Sequence, residues 1–186
     1  MNDSKPNREL EMHRIHECLA GDAKAQEALY RRFANPLYTI CLRYMGEPDG
    51  ARDMLQEVWI KVFTKLGEFK AQGSFEGWLR RIAVTTCLDG LKKDRLRFSE
   101  DVEAFQEEVS WNQGQDSQLD AKRLMQLIER LPVGYRTVFN LYAIEGFGHA
   151  EIAEMLAISE NTSKSQLHKA RKWLQERLNY ENFHKS

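Results

Sequence analysis

The chain has 186 residues, of which 42% are hydrophobic and 30% charged, and its formal net charge is −1. This length suffices for one or two small domains with apolar cores, and the near-zero net charge excludes a polycation. No apolar run is long enough to cross a bilayer and no signal peptide begins the chain, so we expect a cytoplasmic protein.

The cysteines favour a reducing compartment. Cys18, Cys41 and Cys87 are far apart, odd in number and in no CxxC pair, which argues against disulfides and against a zinc ribbon. His13 and His16 lie near Cys18, but positions 13 and 18 point in different directions on a helix. The sequence therefore predicts no metal site and no cofactor.

The pattern outside one acidic stretch is helical throughout, with Gly and Pro where helices would end. Asp22 is expected to cap a helix running to about Phe33. Asn35–Pro36 is expected to open the next helix, because Pro suits the first helical position, and Gly46 with Pro48 is expected to close it.

A long helix is predicted from Asp49 to Leu66, and it contains the run DMLQEVWIKVFTKL. Its apolar face is expected to be core and comprises Leu55, Val58, Trp59, Val62 and Leu66. Asp53, Gln56 and Glu57 lie toward another face. A row of acids and amides on a rigid helix can dock a basic partner helix, although a solvated helix face is the simpler alternative.

The next predicted helix follows a loop at 67–73, is capped by Ser74, and runs from Phe75 to about Arg95. Aromatic and basic side chains alternate in this region. They include Phe69, Lys70, Phe75, Trp78, Arg80, Arg81, Lys92 and Lys93. Aromatic faces beside cations suit single-stranded DNA, since bases stack and phosphates pair. The alternative is a buried helix, and we expect Trp78 itself to lie in the core.

Charge divides the chain into three parts. Residues 1–96 carry 16 basic and 14 acidic side chains, a net of +2. Residues 97–120 carry one Arg and seven acids, a net of −6, and residues 121–186 carry ten basic and seven acidic side chains, a net of +3. We predict an all-α protein with a helical domain at 1–96, a flexible acidic linker at 97–117 and a second helical domain at 118–186.

The second domain is predicted to begin with a helix capped at Ser117 and ended by Pro132, followed by a helix over 135–144. The run GHAEIAEMLAISENTSKSQLHKARKWLQERL, residues 148–178, then has the layout of a helix-turn-helix. Ile158 is expected to fill the angle between the two helices, and Ser159 to cap the second.

The second helix of this motif is amphipathic. Leu167, Ala170, Leu174 and Leu178 share one face, while Ser165, Lys169 and Lys172 point the opposite way, with His168 beside them. A basic outward face is expected of a helix that faces phosphates, although an ordinary solvated surface helix is the alternative.

Together these segments resemble the extracytoplasmic-function (ECF) sigma factors of bacterial RNA polymerase, over nearly the whole chain. DMLQEVWIKVF resembles the family's polymerase-binding helix, and WLRRIAVTT resembles the helix that opens and reads the −10 promoter element. LPVGYRTVFNLYAIEGFGHAEIAEMLAISENTSKSQLHKARKWL resembles the domain that reads the −35 element.

The resemblance implies a role for each set of matching residues. Asp53, Gln56 and Glu57 match polymerase contacts. Arg80, Arg81, Thr85 and the loop at 68–74 match the region that holds the non-template strand and an extruded base. The positions that match −35 contacts are Lys164, Ser165, Gln166, His168, Lys169 and Arg171, and Lys172 lies on the same basic helix. The implied partners are core RNA polymerase and promoter DNA, with an anti-sigma factor for many relatives.

Four positions depart from the family pattern. Gly148 stands where the family tends to have Ser as a helix cap, and Gly is nearly as good. Thr85 stands where the family usually has Asn, which leaves the preferred −10 base open. Gln166 replaces a common Arg, and Gln can read adenine through two hydrogen bonds. Ser163 occupies a usually apolar position that the helical period places inward.

We predict a sigma factor rather than an enzyme, because no nucleophile cluster and no glycine-rich phosphate loop is present and no small-molecule substrate is implied. Two other functions stay open. A helix-turn-helix regulator would bind an operator tightly without polymerase, and a helical adaptor would bind an acidic protein without any dependence on DNA.

Overall fold

A computed structural model describes the backbone of residues 4–93 and 117–183, and the side chains of residues 12–92 and 122–178. Within these ranges the chain forms helices and turns without a β-strand, which confirms the all-α prediction. The α-helices are α1 (Ser4–Leu19), α2 (Ala23–Met45), α3 (Pro48–Lys65), α4 (Phe75–Lys93), α5 (Ser117–Glu129), α6 (Val133–Phe139), α7 (His149–Leu156) and α8 (Glu160–Phe183). A 3-10 turn spans Leu66–Glu68 and a π-helical turn spans Asn140–Ile144.

Backbone contacts divide the chain into two compact units. Unit 1 takes residues 1–41 and 49–89, and unit 2 takes residues 42–48 and 90–186. The last turn of α2 therefore belongs to unit 2. The predicted linker at 97–117 lies almost entirely outside the described residues, so its boundaries stay a prediction. None of the described helices is both long and apolar enough to cross a membrane.

Unit 1 is built around an apolar core that follows the helical period. The α3 residues Val58, Trp59 and Val62 are buried, as predicted, together with Leu66 in the following turn. The other helices contribute Ile15, Leu29, Phe33, Leu37, Ile40, Phe75, Leu79, Ile82, Ala83 and Leu88. Burying these apolar side chains is the main stabilising contribution, roughly 25 cal/mol for each Å² removed from water.

The prediction of two helices at 22–48 was wrong, because α2 continues through Pro36 without interruption. Pro36 has no N–H, so the helix loses the bond to the carbonyl of Arg32. The buried residues Phe33, Leu37 and Ile40 lie on both sides of this position and share one face. Their burial outweighs the loss of one hydrogen bond.

The three cysteines are buried free thiols of unit 1. Burial raises the pKa of the Cys18 thiol, and the neighbouring carboxylates of Glu17 and Asp22 raise it further. A raised pKa leaves little thiolate at neutral pH, so Cys18 is a packing residue with low reactivity.

Two predicted helix caps of unit 1 are present. Asp22 accepts hydrogen bonds from the amides of Lys24 and Ala25 at 2.8 and 3.3 Å, at the start of α2. Ser74 accepts from the amide of Gly77 at 3.0 Å, at the start of α4. Such caps satisfy amides that have no partner within the helix.

Unit 2 has its own apolar core, formed between α5 and α8. It consists of Leu127, Ile128, Leu131, Ala170 and Leu174, with Tyr135, Phe139, Ile144, Trp173 and Leu178 packed against it. The helix predicted over 135–144 starts two residues earlier and widens into the π-helical turn at its end.

A buried arginine joins three chain segments inside unit 2. Arg136 on α6 donates to the carbonyls of Tyr44 and Met45 at 3.0 and 2.8 Å, and to those of Glu129 and Leu131 at 2.7 and 3.0 Å. These carbonyls lie at the end of α2, at the end of α5 and in the turn just after α5, where no helical amide is left to bind them. A cation at a helix C-terminus also interacts favourably with the helix dipole.

Two further contacts hold the last turn of α2 in unit 2. The side-chain amide of Asn140 donates to the carbonyl of Arg43 at 2.8 Å. The Arg43 guanidinium pairs with Glu145 at 3.2 Å, and both side chains are only 6% exposed. Removing one partner of such a buried pair leaves an uncompensated charge, which is far more costly than losing a surface pair.

Candidate polymerase and nucleic-acid interfaces

The first candidate surface lies on α3. Asp53, Gln56 and Glu57 are all exposed, as predicted, and Gln56 and Glu57 both lie about one turn beyond Asp53. The next turn of the same face carries Ile60, whose side chain is 60% exposed. Neither Asp53 nor Glu57 forms an ion pair with any other described residue. The face thus offers two free carboxylates beside an exposed apolar side chain.

Sequence reasoning missed Ile60. The predicted apolar face of this helix did not include Ile60, and neither did the predicted polar face. The available signal was its helical position, one turn beyond Gln56 and Glu57 rather than in line with Val58 and Val62.

The second candidate surface surrounds an aromatic cluster at the start of α4. Trp78 stacks on Phe75 with ring centroids 5.5 Å apart, and Phe69 lies 5.6 Å from Trp78. Phe75 is fully buried, whereas Phe69 and Trp78 are half-buried. The expectation that Trp78 lies wholly in the core was therefore wrong: Phe75 fills the interior, and Trp78 covers it at the surface.

Exposed polar side chains continue from this cluster along α4. Arg81, Thr85 and Lys92 lie on one stripe of the helix, Arg80 is exposed beside it, and Lys70 is exposed in the preceding loop. The side chain of Lys93 lies outside the described residues. Half-buried aromatic rings and exposed cations along α4 and the loop before it can stack a base and hold the phosphates of a single strand.

Thr85 is already engaged with its own helix. Its hydroxyl proton is shared between two backbone carbonyls. The hydroxyl oxygen lies 2.9 Å from the carbonyl oxygen of Arg81 and 3.0 Å from that of Ile82. The oxygen lone pairs remain exposed, so Thr85 is poised to accept a hydrogen bond from a base rather than to donate one.

The third candidate surface is the helix-turn-helix of α7 and α8. The turn between them has Ala157 in the left-handed conformation at φ 55°, and the half-buried Ile158 follows it. Ser159 accepts from the amide of Thr162 at 3.0 Å, which confirms the predicted cap of α8. Leu167, Ala170 and Leu174 are buried and Leu178 is half-buried, as the helical period predicted.

The outward face of α8 is basic and exposed. It carries Lys164, Ser165, His168, Lys169, Arg171 and Lys172. Lys164 and Lys172 each face an acid one turn away, with distances of 3.4 Å to Glu160 and 3.9 Å to Glu176. These surface pairs are weak, so phosphate groups can compete for both lysines.

Two cations of this outward face, Lys169 and Arg171, also lie over aromatic rings. The ammonium of Lys169 is 5.9 Å from the ring centroid of Tyr135, and the guanidinium of Arg171 is 5.5 Å from that of Tyr142. Such contacts restrict the side chains without removing their charge.

Gln166 is placed differently from the other predicted −35 residues. Its carboxamide packs over Gly134 of α6, where an added Cβ would lie 3.1 Å from the Gln166 nitrogen. The Gln166 side-chain oxygen is buried and accepts no hydrogen bond from the described residues. A role in reading adenine stays a prediction, and it requires this side chain to turn outward.

No group of three potential metal ligands occurs among the side chains that the structure describes. His13, which was weighed as a ligand with His16 and Cys18, instead pairs with Glu17 one helical turn away at 3.3 Å.

Comparisons with known proteins match both parts of the chain. Residues 29–97 match the family model for sigma-70 region 2, and residues 121–174 match the model for sigma-70 region 4. The first match includes α3 and α4, and the second includes the helix-turn-helix up to Leu174.

Individual relatives agree with these matches. The chain is 28% identical over 177 residues to the ECF RNA polymerase sigma factor SigW of Bacillus subtilis, covering 89% of this chain and 95% of the relative. It is 32% identical over 162 residues to SigE of Mycolicibacterium smegmatis, covering 82% of this chain and 61% of the relative. Among solved structures, the sigma factor RpoE of Bartonella quintana, crystallised with the anti-sigma factor NepR, gives a TM-score of 0.49 at 22% identity and covers 82% of this chain and 96% of that one.

Proposed function

This chain belongs to the ECF sigma factors of the sigma-70 family, which direct promoter-specific transcription by RNA polymerase, and on that premise we propose which of its surfaces performs each step. The observation that carries the proposal is the occurrence of three unlike surfaces in one chain: an acidic face, an aromatic and basic patch, and a basic recognition helix.

The acidic face of α3 binds the core polymerase. Asp53 and Glu57 are exposed carboxylates without an ion pair among the described residues, so a basic helix of the polymerase meets no internal competitor. Ile60 at 60% exposure adds apolar area next to the carboxylates. Charge then sets the orientation of docking, and burial of Ile60 contributes affinity.

The patch on α4 holds the opened −10 element. Phe69 and Trp78 offer ring faces for stacking, and Lys70, Arg80, Arg81 and Lys92 supply positive charge along the single strand. Stacking is worth roughly 1–3 kcal/mol per base, while extruding a base costs a few kcal/mol. The patch can therefore hold an extruded base without chemical fuel, and Thr85 is placed to accept a hydrogen bond from it.

The outward face of α8 reads the −35 element in duplex DNA. Lys164, Ser165, His168, Lys169, Arg171 and Lys172 are exposed together on the second helix of the helix-turn-helix, the helix that enters the major groove in this motif. Most of these residues contact phosphates and fix the register of the helix, and the polar side chains read base edges.

Neither DNA surface needs to bind tightly alone. Both are carried by one polymerase, so binding of the first element raises the effective concentration of the second surface at its own site. With a net charge of −1, the free protein is expected to bind DNA weakly. The protein performs no covalent chemistry and acts in the cytoplasm with the polymerase. An anti-sigma factor that covered one of the three surfaces would silence it.

Run-off transcription tests the proposal. Core RNA polymerase is supplied with genomic fragments, with and without this protein, and the transcripts are mapped. We expect discrete start sites that occur only when the protein is present. An identical transcript pattern in both reactions would contradict a sigma-factor role.

Transcription and pull-down of charge-reversed variants test which surface binds the polymerase. Charge reversal with Asp53→Lys and Glu57→Lys should abolish the added transcripts and weaken pull-down by the core at least tenfold, whereas reversal of two other exposed acids, Glu47→Lys and Glu76→Lys, should leave pull-down unchanged. Undiminished pull-down of the first double variant would rule out α3 as the docking face.

Alanine at Arg80 and Arg81 should slow promoter opening, measured by permanganate reactivity of unpaired thymines, while duplex binding persists.

A further inference from the structure

We propose that His149 is a positioning residue for −35 recognition, and that its ring orients Arg171 while its Nδ1 nitrogen fixes the first turn of α8. The proposal rests on the assignment of α8 as the −35 recognition helix. It adds two residues outside that helix, His149 and Tyr142, to the apparatus that sets promoter specificity.

The first half of the arrangement is a partly buried hydrogen bond. Ser163, in the first turn of α8, is fully buried, and its hydroxyl lies 2.9 Å from Nδ1 of His149 at the start of α7. The sequence alone places an unexpected polar residue at this inward position. His149 satisfies the hydroxyl, and in doing so it ties the first turns of the two helices together.

The second half is a stack of three side chains. The rings of His149 and Tyr142 lie 4.6 Å apart with an interplanar angle of 23°, and the guanidinium of Arg171 lies 5.5 Å from the Tyr142 centroid. Tyr142 therefore contacts a cation of the recognition helix and is itself supported by the imidazole ring.

The two contacts are spaced to control the rotation of α8. Ser163 and Arg171 are eight residues apart, about 12 Å along a helix and close to two full turns. The stacked pair of rings therefore contacts α8 at two points along its axis: His149 contacts Ser163, and Tyr142 contacts Arg171. Rotation of the helix about its axis would break both contacts at once.

This control matters for DNA because phosphate contacts fix the register of a recognition helix in the groove. Arg171 is exposed and remains charged on the Tyr142 ring, so it is held near one position before DNA arrives. An ordered side chain loses less conformational entropy on binding than a free one. Without the His149 ring, Tyr142 loses its support and Arg171 loses its fixed position.

The test uses the salt dependence of promoter binding by the polymerase complex, because each lost phosphate contact lowers the slope of log K against log salt by about 0.9. The probe is a promoter fragment identified by run-off transcription. Arg171→Ala should lower the slope by about this amount. His149→Asn keeps a hydrogen-bonding group for Ser163 but has no ring, so it should lower the slope equally, with no further loss when combined with Arg171→Ala.

His149→Phe is the matched variant, since it keeps a ring for Tyr142 but cannot bond Ser163. We expect it to retain the wild-type slope and to lower the Tm of the free protein by several degrees, because the buried hydroxyl loses its partner. Adding Ser163→Ala to His149→Phe removes that hydroxyl and should recover most of the Tm. His16→Ala, an exposed histidine of α1, is the control and should change neither quantity.

The outcomes separate the two proposals. If Arg171→Ala leaves the slope unchanged, the assignment of the −35 face is wrong and the positioning role falls with it. If Arg171→Ala lowers the slope but His149→Asn does not, only the positioning role is overturned. If His149→Phe lowered the slope as much as His149→Asn does, the positioning role would also be overturned, because a ring at position 149 would then not be what supports Tyr142.

Discussion

The two units of this protein use different means to stabilise their interiors. Among the described residues, six polar side chains are buried, and five of them belong to unit 2, namely Arg43, Arg136, Thr137, Asn140 and Ser163. The sixth, Thr86 of unit 1, donates to the carbonyl of Ile82 on its own helix at 2.7 Å. Thr137 likewise donates to a carbonyl of its own helix, that of Val133, at 2.7 Å. The other four polar side chains of unit 2 contact segments distant in sequence, whereas the buried side chains of unit 1 are otherwise apolar.

This difference has an energetic consequence. Apolar contacts tolerate modest substitution, because a neighbouring side chain can shift to fill part of a void. Hydrogen bonds in a buried site do not, because a carbonyl without its donor keeps the full cost of leaving water. We therefore expect the largest single-residue effects in unit 2, even though unit 1 buries more large apolar side chains.

The largest effect is expected from Arg136→Met. The substitution keeps the length of the side chain but removes the donors for the carbonyls of Tyr44, Met45, Glu129 and Leu131, so we expect a loss of about 3–5 kcal/mol. Urea unfolding of the free protein measures it. Arg14→Met, at an exposed position of α1, is the control and should change stability by less than about 0.5 kcal/mol. A similar small change for Arg136→Met would refute the contrast between the units.

A second comparison uses two glycines with the same backbone geometry. Gly21 follows α1 with φ +84° and Gly46 follows α2 with φ +79°. A Cβ on Gly21 would meet nothing within 4 Å, whereas a Cβ on Gly46 would overlap the Arg136 guanidinium and lie 2.7 Å from the carbonyl oxygen of Glu129.

Gly21→Ala should therefore cost only the left-handed backbone strain, about 1 kcal/mol. Gly46→Ala adds the displacement of Arg136 and should cost at least about 2 kcal/mol more. Thermal unfolding of both variants under the same conditions provides the comparison. Equal losses would mean that the Arg136 contacts contribute little.

The smallest effects are expected at the helix caps, where the two units should behave alike. Asp22→Ala removes the cap of α2 in unit 1, and Ser159→Ala removes the cap of α8 in unit 2. Both caps are exposed and local, so each substitution should cost about 1 kcal/mol. Chemical denaturation measures the loss of stability in each variant. If one loss were several times the other, the contrast between the units would extend beyond their buried residues.

The candidate interfaces show the same division between what is local and what is not. The exposure of Asp53, Glu57 and the basic residues of α8 followed from helical spacing, because a residue opposite a buried stripe must face solvent. The exposure of Ile60 and the packing of Gln166 on Gly134 could not be predicted in this way. Isoleucine is usually buried and glutamine is usually exposed, whereas here Ile60 is exposed and Gln166 is half-buried.

By itself, the sequence determined the all-helical architecture, the caps at Asp22, Ser74 and Ser159, the apolar faces of α3 and α8, and the family to which the chain belongs. These features depend on residues within one or two turns of one another, and such spacing can be read along the chain. The tertiary structure alone decided the passage of α2 through Pro36, the four-carbonyl contact of Arg136 and the bond between His149 and Ser163. The two hydrogen-bonded contacts join groups whose partners come together only when distant helices pack, and the helix through Pro36 depends on the burial of Phe33, Leu37 and Ile40 by the same packing.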